Sequence, residues 1–127
     1  MAAACTVFEL RRYLLHPGRR DELIDLFDEH FVETQEAAGM HVIGQFRVDG
    51  DPDRFAWLRG FADMGARRTG LAGFYVTGEA WAAHGPAANA TMLDSDDVLL
   101  LRPVTDAGVI CNAVVSAARD LNPEPAD

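Results

Sequence analysis

The order of apolar patterns along the chain constrains its fold more than any other feature of the sequence. Residues 5–14 alternate imperfectly between apolar and polar residues, which predicts a strand. Residues 18–38 repeat apolar residues at spacings of three and four, which predicts an amphipathic helix. Residues 40–49 and 54–61 are rich in β-branched and aromatic residues and flank a turn sequence at 49–52, so we expect two antiparallel strands there.

The second half of the chain continues this order. Helical spacing resumes near residue 63, and residues 79–84 indicate another short helical turn, which the Gly-Pro pair at 85–86 is expected to end. Residues 94–97 are expected to form a turn, and the apolar run 98–101 a central strand with both faces covered. The sequence therefore predicts an α+β, ferredoxin-like β-α-β-β-α-β domain with a four-stranded antiparallel sheet.

The last part of the chain has a different pattern from the domain before it. Val109, Ile110 and Val114 share an apolar helical stripe, which predicts an extra helix over about residues 107–120, followed by a disordered tail. We therefore expect a domain over residues 1–103 and a C-terminal extension over 104–127. The predicted helix needs an apolar surface to cover, either in its own subunit or in a partner.

The charge balance excludes several classes of partner. The net charge of −9 opposes binding to nucleic acid or to anionic lipid, because both are bound mainly through clustered positive charge. No apolar run is long enough to span a membrane and no signal peptide is evident, so we expect a cytoplasmic protein with both cysteine thiols reduced. All eleven basic residues are arginine, which excludes mechanisms that use a lysine.

A homodimer follows from the layer arrangement. Helices on one side of a four-stranded sheet leave the other face bare, and an apolar face must be covered. A symmetric partner sheet closes a barrel and covers it. The alternative is that the C-terminal helix lies over this face as an intramolecular lid.

Short segments distributed over residues 6–103 carry a resemblance to a known family. They are Phe8-Glu9-Leu10-Arg11 with Tyr13, Pro17-Gly18, Gly44-Gln45-Phe46, Phe55-Ala56-Trp57-Leu58-Arg59-Gly60-Phe61, Met64, Arg67, Phe74-Tyr75, Trp81, His84, Ala88-Asn89, Asp94-Ser95 and Val98-Leu99-Leu100-Leu101-Arg102-Pro103. Together they resemble the NIPSNAP family of the dimeric α+β barrel superfamily. The resemblance implies the ferredoxin-like fold and the homodimer more firmly than any chemistry, because NIPSNAP proteins lack a well established common activity. The wider superfamily includes cofactor-free monooxygenases, heme-degrading and heme-peroxidase enzymes, and small isomerases.

Charged and aromatic side chains share one face within each of three predicted strands, and they form one lining if the three faces coincide. Such a lining suits a flat, anionic or electron-rich organic ligand, because guanidinium groups bind carboxylates and stack on rings. The alternative is a buried salt-bridge network of Glu9, Arg11, Arg47 and Arg59 that only stabilises the barrel. Alternation places Glu9, Arg11 and Tyr13 on one face of the first strand, Gln45 and Arg47 on one face of the second, and Phe55, Trp57, Arg59 and Phe61 on one face of the third.

A second cluster combines aromatic residues with a histidine and an asparagine. Tyr75, Trp81, His84 and Asn89 offer what a cofactor-free monooxygenase or isomerase needs, a base or hydrogen-bond donor for a substrate anion and a dry wall around it. His84 is alternatively a heme axial ligand. In a third interpretation Tyr75 and Trp81 belong to the core, Asn89 caps a helix or turn, and His84 is structural.

These patterns lead to one functional expectation and two alternatives. We expect a homodimer that binds a small organic ligand in a cavity near Arg47, Trp57, Arg59 and Trp81, with His84, Asn89 and Tyr75 as catalytic candidates. The histidines lack metal-ligand spacing and no nucleotide or nucleophile motif is evident, so no metal or cofactor is expected. The alternatives are a scaffold or protein-interaction module and a heme-binding protein.

Overall fold

A computed structural model of the protein describes residues 4–104 and 109–110. Strand β2 (Val7–Leu15) lies at the centre of the main sheet and pairs on one side with β4 (Arg54–Phe61) and on the other with β5 (Met92–Leu101), while β3 (His41–Arg47) pairs with β4. The sheet order is β3-β4-β2-β5, and every pair is antiparallel. The predicted α+β, ferredoxin-like fold is thereby confirmed. The strands are β1 (Ala4–Cys5), β2 (Val7–Leu15), β3 (His41–Arg47), β4 (Arg54–Phe61), β5 (Met92–Leu101) and β6 (Val109–Ile110).

Three continuous helical segments pack on one face of this sheet, and two of them contain a π-helical turn. The first segment consists of α1 (Arg20–Leu26), a π-helical turn (Phe27–Phe31) and α2 (Val32–Ala37). The second consists of α3 (Met64–Leu71) and a π-helical turn (Ala72–Val76), and the third is α4 (Glu79–Ala90). Gly39, two residues after the end of α2, has a φ of 88°, a left-handed conformation that commonly follows the end of a helix.

The two faces of the sheet differ in what covers them. Alternation along β2 and β4 directs Tyr13, Leu15, Phe55 and Trp57 towards the helices, where they are buried in the main core. The opposite face, which we call the open sheet face, has no helix over it among residues 4–104 and 109–110. Its apolar side chains are Phe8, Leu10, Ile43, Phe46, Ala56, Leu58, Leu99 and Leu101.

Strand β5 corrects two expectations. The apolar run 98–101 is on an edge strand rather than a central one, and Leu99, Leu100 and Leu101 are 42%, 47% and 39% exposed. The predicted turn at 94–97 is part of the same strand. The polar residues of this segment lie at a register shift opposite Arg12 and Leu14. There the Asp94 side chain accepts a hydrogen bond from the Asp96 backbone N–H at 2.8 Å.

The Gly-Pro pair at 85–86 does not end the last helix, as the sequence predicted. Both residues lie inside α4, which continues to Ala90. A proline in a helix removes one backbone hydrogen bond, and the helix can continue where packing along its length outweighs that loss. Gly85 and Ala88 supply this packing, since both are buried against the core.

The chain end departs from expectation where it is described. Val109–Ile110, placed by the sequence within a helix, pair with Ala4–Cys5 as a short antiparallel sheet. The remainder of the predicted 107–120 helix and of the tail lies outside the described residues. Cys5 is disulfide-bonded, so the expectation of two reduced thiols is wrong. Within residues 4–104 and 109–110, no helix has the length and apolar character needed to cross a membrane.

Candidate functional site: an arginine cluster around Glu9

A buried carboxylate on the central strand organises the most polar part of the interior. Glu9 is inaccessible to solvent and faces the helices. Its Oε1 accepts hydrogen bonds from Arg59 Nε at 2.9 Å and from Arg11 Nη1 at 2.9 Å, while its Oε2 accepts from Arg67 Nε at 2.7 Å. One carboxylate thus pairs with three guanidinium groups from β2, β4 and α3, which we call the Glu9 cluster.

Arg59 is the buried arginine of the cluster and connects it to two helical segments. Its Nη1 donates to Gln35 Oε1 at 2.7 Å and to the Tyr75 hydroxyl at 2.9 Å. The guanidinium also lies 4.6 Å from the ring centroid of Trp57, a cation–π distance. Because all its neighbours are fixed in the core, Arg59 is a structural centre of the site.

Arg11 and Arg67 carry the cluster to the surface. Their side chains are 20% and 28% exposed, whereas that of Arg59 is 1% exposed. Arg11 Nε donates to the Tyr13 hydroxyl at 3.0 Å. In the described part of the chain, Arg11 Nη2 and both Nη atoms of Arg67 donate to no acceptor. The exposed end of the cluster therefore has guanidinium N–H groups to offer.

The cluster has more positive than negative charge. Burial alone would raise the pKa of the Glu9 carboxyl, but the charge of Arg59 and the hydrogen bonds from the arginines outweigh this effect and lower that pKa. Glu9 is consequently ionised at neutral pH and is committed to the arginines. Three cations face one anion, so the positive charge is only partly compensated within the cluster.

Tyr75 is the hydroxyl donor next to this charge. Burial raises the pKa of the Tyr75 phenol, although the nearby Arg59 charge opposes the shift. The phenol therefore keeps its proton at neutral pH. While it accepts a hydrogen bond from Arg59, its own O–H remains able to donate to an electron-rich oxygen.

Aromatic rings pack tightly behind the cluster. Trp81 lies 4.9 Å from Tyr75 and 5.3 Å from Phe31, measured between ring centroids, and Phe74 lies 4.7 Å from Tyr75. The cavity among these rings holds about 20 Å³, which is room for about one water molecule. The Trp57 indole N–H is buried in this region without a hydrogen-bond acceptor in the described residues. The aromatic group is thus core packing and is too full for an organic ligand.

The structure brings together four of the seven residues proposed from the sequence. Trp57, Arg59, Tyr75 and Trp81 are in or beside the Glu9 cluster. The other three, Arg47, His84 and Asn89, lie elsewhere.

Those three residues have other surroundings. Arg47 is exposed and forms a 3.7 Å ion pair with Asp21. His84 stacks on His30 with ring centroids 3.5 Å apart, and Asn89 is exposed on α4. The alternative salt-bridge network is found for Glu9, Arg11 and Arg59 but does not include Arg47.

The sequence did not identify Arg67 of the Glu9 cluster, or Gln35 beside it, as a site residue. Arg67 follows Met64 by three residues and precedes Leu71 by four, so it occupies the apolar stripe of its helix. Gln35 follows the buried Phe31 by four residues in the same way. A polar residue on an apolar stripe is the signal that could have identified both, because a buried polar group requires a buried partner.

No metal site accompanies the cluster in the described ranges. Across residues 4–104 and 109–110, no group of three or more histidine, cysteine or acidic side chains could hold an ion. Guanidinium groups are cations and do not ligate metals. The chemistry available at the Glu9 cluster is therefore binding and polarisation of anionic or electron-rich groups.

Comparisons with known proteins agree with the fold. A NIPSNAP family protein from Agrobacterium tumefaciens is 22% identical, with a TM-score of 0.71 over 84% of this chain and 91% of that one. An uncharacterized NIPSNAP domain protein from Burkholderia xenovorans is 15% identical, with a TM-score of 0.70 over 79% and 96% of the two chains. An antibiotic biosynthesis monooxygenase is 19% identical, with a TM-score of 0.62 over 78% and 99%.

The sequence comparisons define the family. No curated protein sequence matches the chain. The family model described as NIPSNAP matches residues 8–107, which is most of its length. The chain therefore belongs to the NIPSNAP family.

Proposed function

We propose that this NIPSNAP protein is a homodimer in which each protomer binds a small organic molecule at the exposed end of the Glu9 cluster. The observation that carries this proposal is the reach of the cluster from the buried Glu9 and Arg59 to the partly exposed Arg11 and Arg67. A network that served stability alone would be more economical with one cation for each carboxylate, since each buried charge costs desolvation.

The ligand position follows from where space exists. The aromatic core behind the cluster has room for about one water molecule, so we place the ligand at the partly exposed Arg11 and Arg67, on the face of the sheet that carries the helices. On that face Leu100, which is 47% exposed, lies opposite Glu9 in the sheet register, and Val98 lies opposite Arg11. Cationic and apolar side chains are thus neighbours on adjacent strands, a combination that suits an organic molecule with one polar end.

The open sheet face supports the homodimer. Phe46, Leu99 and Leu101 are each at least 39% exposed on this face, and they are continuous with partly buried Leu10 and Leu58. An apolar surface of this kind, on a sheet whose other face already covers a core, favours a second copy of the same sheet.

The chemistry of the cluster supports a cofactor-free isomerase or monooxygenase. Both reactions pass through an enolate or phenolate, and guanidinium groups together with a neutral Tyr75 hydroxyl would stabilise the negative oxygen. Glu9 is not the base, because both of its oxygens accept hydrogen bonds from arginines. The cluster would act by lowering the pKa of a bound carbon acid or phenol, whose proton would pass to water at the partly exposed end of the cluster.

Native mass spectrometry of freshly purified protein, followed by denaturation to identify released molecules, tests the proposal. We expect a species of twice the 13.8 kDa chain mass with one retained small molecule per protomer. A monomer without retained ligand would contradict both parts. A retained heme would instead favour the heme-binding alternative through His84.

A scaffold role remains the second candidate because of β5. Its exposed leucines would also suit a different protein that pairs with the edge strand. Size-exclusion chromatography with light scattering separates the two, since a self-associating chain forms dimers when pure, whereas a scaffold for another protein remains monomeric.

A further inference from the structure

We infer that the ligand carries a carboxylate, and that Arg11 and Arg67 bind this group. The inference rests on the proposed function and names the class of its ligand. It starts from the charge of the Glu9 cluster, in which three guanidinium groups share one carboxylate. In the described part of the chain, no second acidic side chain forms an ion pair with any of the three.

This imbalance stands out in an acidic protein. The chain has 20 acidic residues for 11 arginines, and the arginines Arg12, Arg19, Arg47 and Arg54 each pair with an aspartate or glutamate of their own. Acidic side chains were thus available throughout the fold to neutralise cations. A cluster that leaves cationic charge uncompensated at its exposed end is complementary to an anion from outside the chain.

The free donors are suited to a carboxylate. Glu9 holds Arg11 through Oε1 and Arg67 through Oε2, so the two guanidinium groups are fixed on either side of one carboxylate. Arg67 uses only Nε, which leaves the N–H groups of both Nη atoms, and Arg11 leaves those of Nη2. Planar guanidinium forks of this kind bind a carboxylate through two parallel hydrogen bonds.

The neighbouring side chains define the remainder of the ligand. Leu100 and Val98 lie opposite Glu9 and Arg11 in the sheet register and offer apolar contact. The Tyr75 hydroxyl lies one hydrogen bond further in, on Arg59. The ligand is therefore an organic acid with an apolar or aromatic body, in preference to a free inorganic anion.

Benzoate and benzamide form a matched pair of probes for this inference. They have the same size and ring, but only benzoate carries a charge. We expect isothermal titration of the intact dimer to give at least tenfold tighter binding of benzoate, and R67Q to weaken benzoate binding by about tenfold or more, as the loss of a charged hydrogen bond predicts. R68Q removes a neighbouring exposed arginine of α3 that forms no ion pair in the described chain, and it should bind as the wild type does.

Each outcome of the titration has a distinct meaning. Equal affinity for benzoate and benzamide, or wild-type benzoate affinity in R67Q, would overturn the carboxylate inference while a ligand site at the cluster remained. No binding of either probe, together with no retained molecule in native mass spectrometry, would overturn the proposed function as well. If R67Q is less stable, R67K repeats the test, since it keeps the charge and loses the planar fork; we expect intermediate affinity.

Discussion

Glu9 shows how one residue determines the character of the site. An ionised carboxylate at zero exposure is tolerated only because arginines on both of its oxygens replace water. The same pairing compensates the charge of Arg59 in the core and holds Arg11 and Arg67 together at the surface. Removal of this one charge would leave three cations without their shared partner.

We therefore predict that Glu9→Gln destabilises the protein strongly and in a pH-dependent manner. The folded-state pKa of Glu9 lies below its ordinary value of 4.5, so its contribution to stability is present above that value and is lost as the pH falls through the folded-state pKa. At pH 7 the loss should reach about 3–5 kcal/mol, the usual cost of breaking a buried pair. Urea unfolding of both proteins measures it.

The pH series provides the internal check on this prediction. Protonated glutamic acid resembles glutamine, so the stability difference between wild type and E9Q should shrink below pH 4.5. Glu22→Gln is the control, since Glu22 forms a surface pair with Arg19 at 2.6 Å and should change stability far less. A pH-independent difference for E9Q would show that its effect is not electrostatic.

The face on which a side chain lies could be predicted well for the strands and less well for the helices. Alternation placed Glu9 and Arg11 on one face of the first strand and Arg59 beside Trp57 on one face of the third, because a strand has only two faces. The positions of His84 and Asn89 depend on how α4 is rotated about its axis, which the helix length and the buried Gly85 determine. A sequence that predicted the helix to end at residue 85 could not specify that rotation.

At the scale of elements, two π-helical turns adjust the helices to the aromatic core. Each inserts an extra residue into its helix, and the turns supply Phe27, Phe31 and Phe74 to the core and Tyr75 to the Glu9 cluster. Turns of this type are rare and often lie at functional sites. Apolar spacing could predict both helices but not these turns, because an inserted residue shifts the stripe by only a fraction of a turn.

The close contact between Gly85 and Trp81 gives a prediction at this scale. A Cβ at position 85 would lie 2.6 Å from the Trp81 ring, which Phe31 and Tyr75 hold in place. We expect Gly85→Ala to destabilise the protein by about 1–3 kcal/mol, despite the higher helix propensity of alanine. Thermal unfolding monitored by circular dichroism measures the change.

Gly73→Ala is the matched control for this substitution. Gly73 lies in the second π-helical turn, and a Cβ there would meet only Ala38 at 4.0 Å. Alanine should therefore be neutral or stabilising by up to about 1 kcal/mol. If both substitutions stabilised the protein, the packing of Trp81 on α4 would be looser than the ring distances indicate.

The sequence predicted β5 at the centre of the sheet, whereas it lies at the edge. A fully apolar run usually indicates a strand whose two faces are both covered within its own subunit. Here the run lies at the edge with three leucines more than a third exposed. The proposed homodimer would bury this exposed apolar run.

At the scale of the whole molecule, this exposed surface predicts how the proposed dimer can be disrupted. Leu99 and Leu101 lie on the open sheet face, opposite Leu10 and Phe8 in the register, and both are already more than a third exposed. Leu99→Glu combined with Leu101→Glu should leave the protomer folded, because neither side chain belongs to the main core. Two charges placed in each copy of a symmetric apolar interface would repel their counterparts and remain desolvated, so we expect a monomer in light scattering.

Val76→Glu is the control for this double substitution. Val76 is 80% exposed at the end of the second π-helical turn, away from the sheet, so a charge there should leave the dimer intact.

The double variant L99E/L101E also separates ligand binding from dimer assembly. Because Leu100 and the Glu9 cluster are on the other face of the sheet, a monomeric L99E/L101E protein that still bound benzoate would place the site within one protomer. If the double variant remained dimeric, the open sheet face could not be the dimer interface, and the exposed leucines of β5 would require another partner.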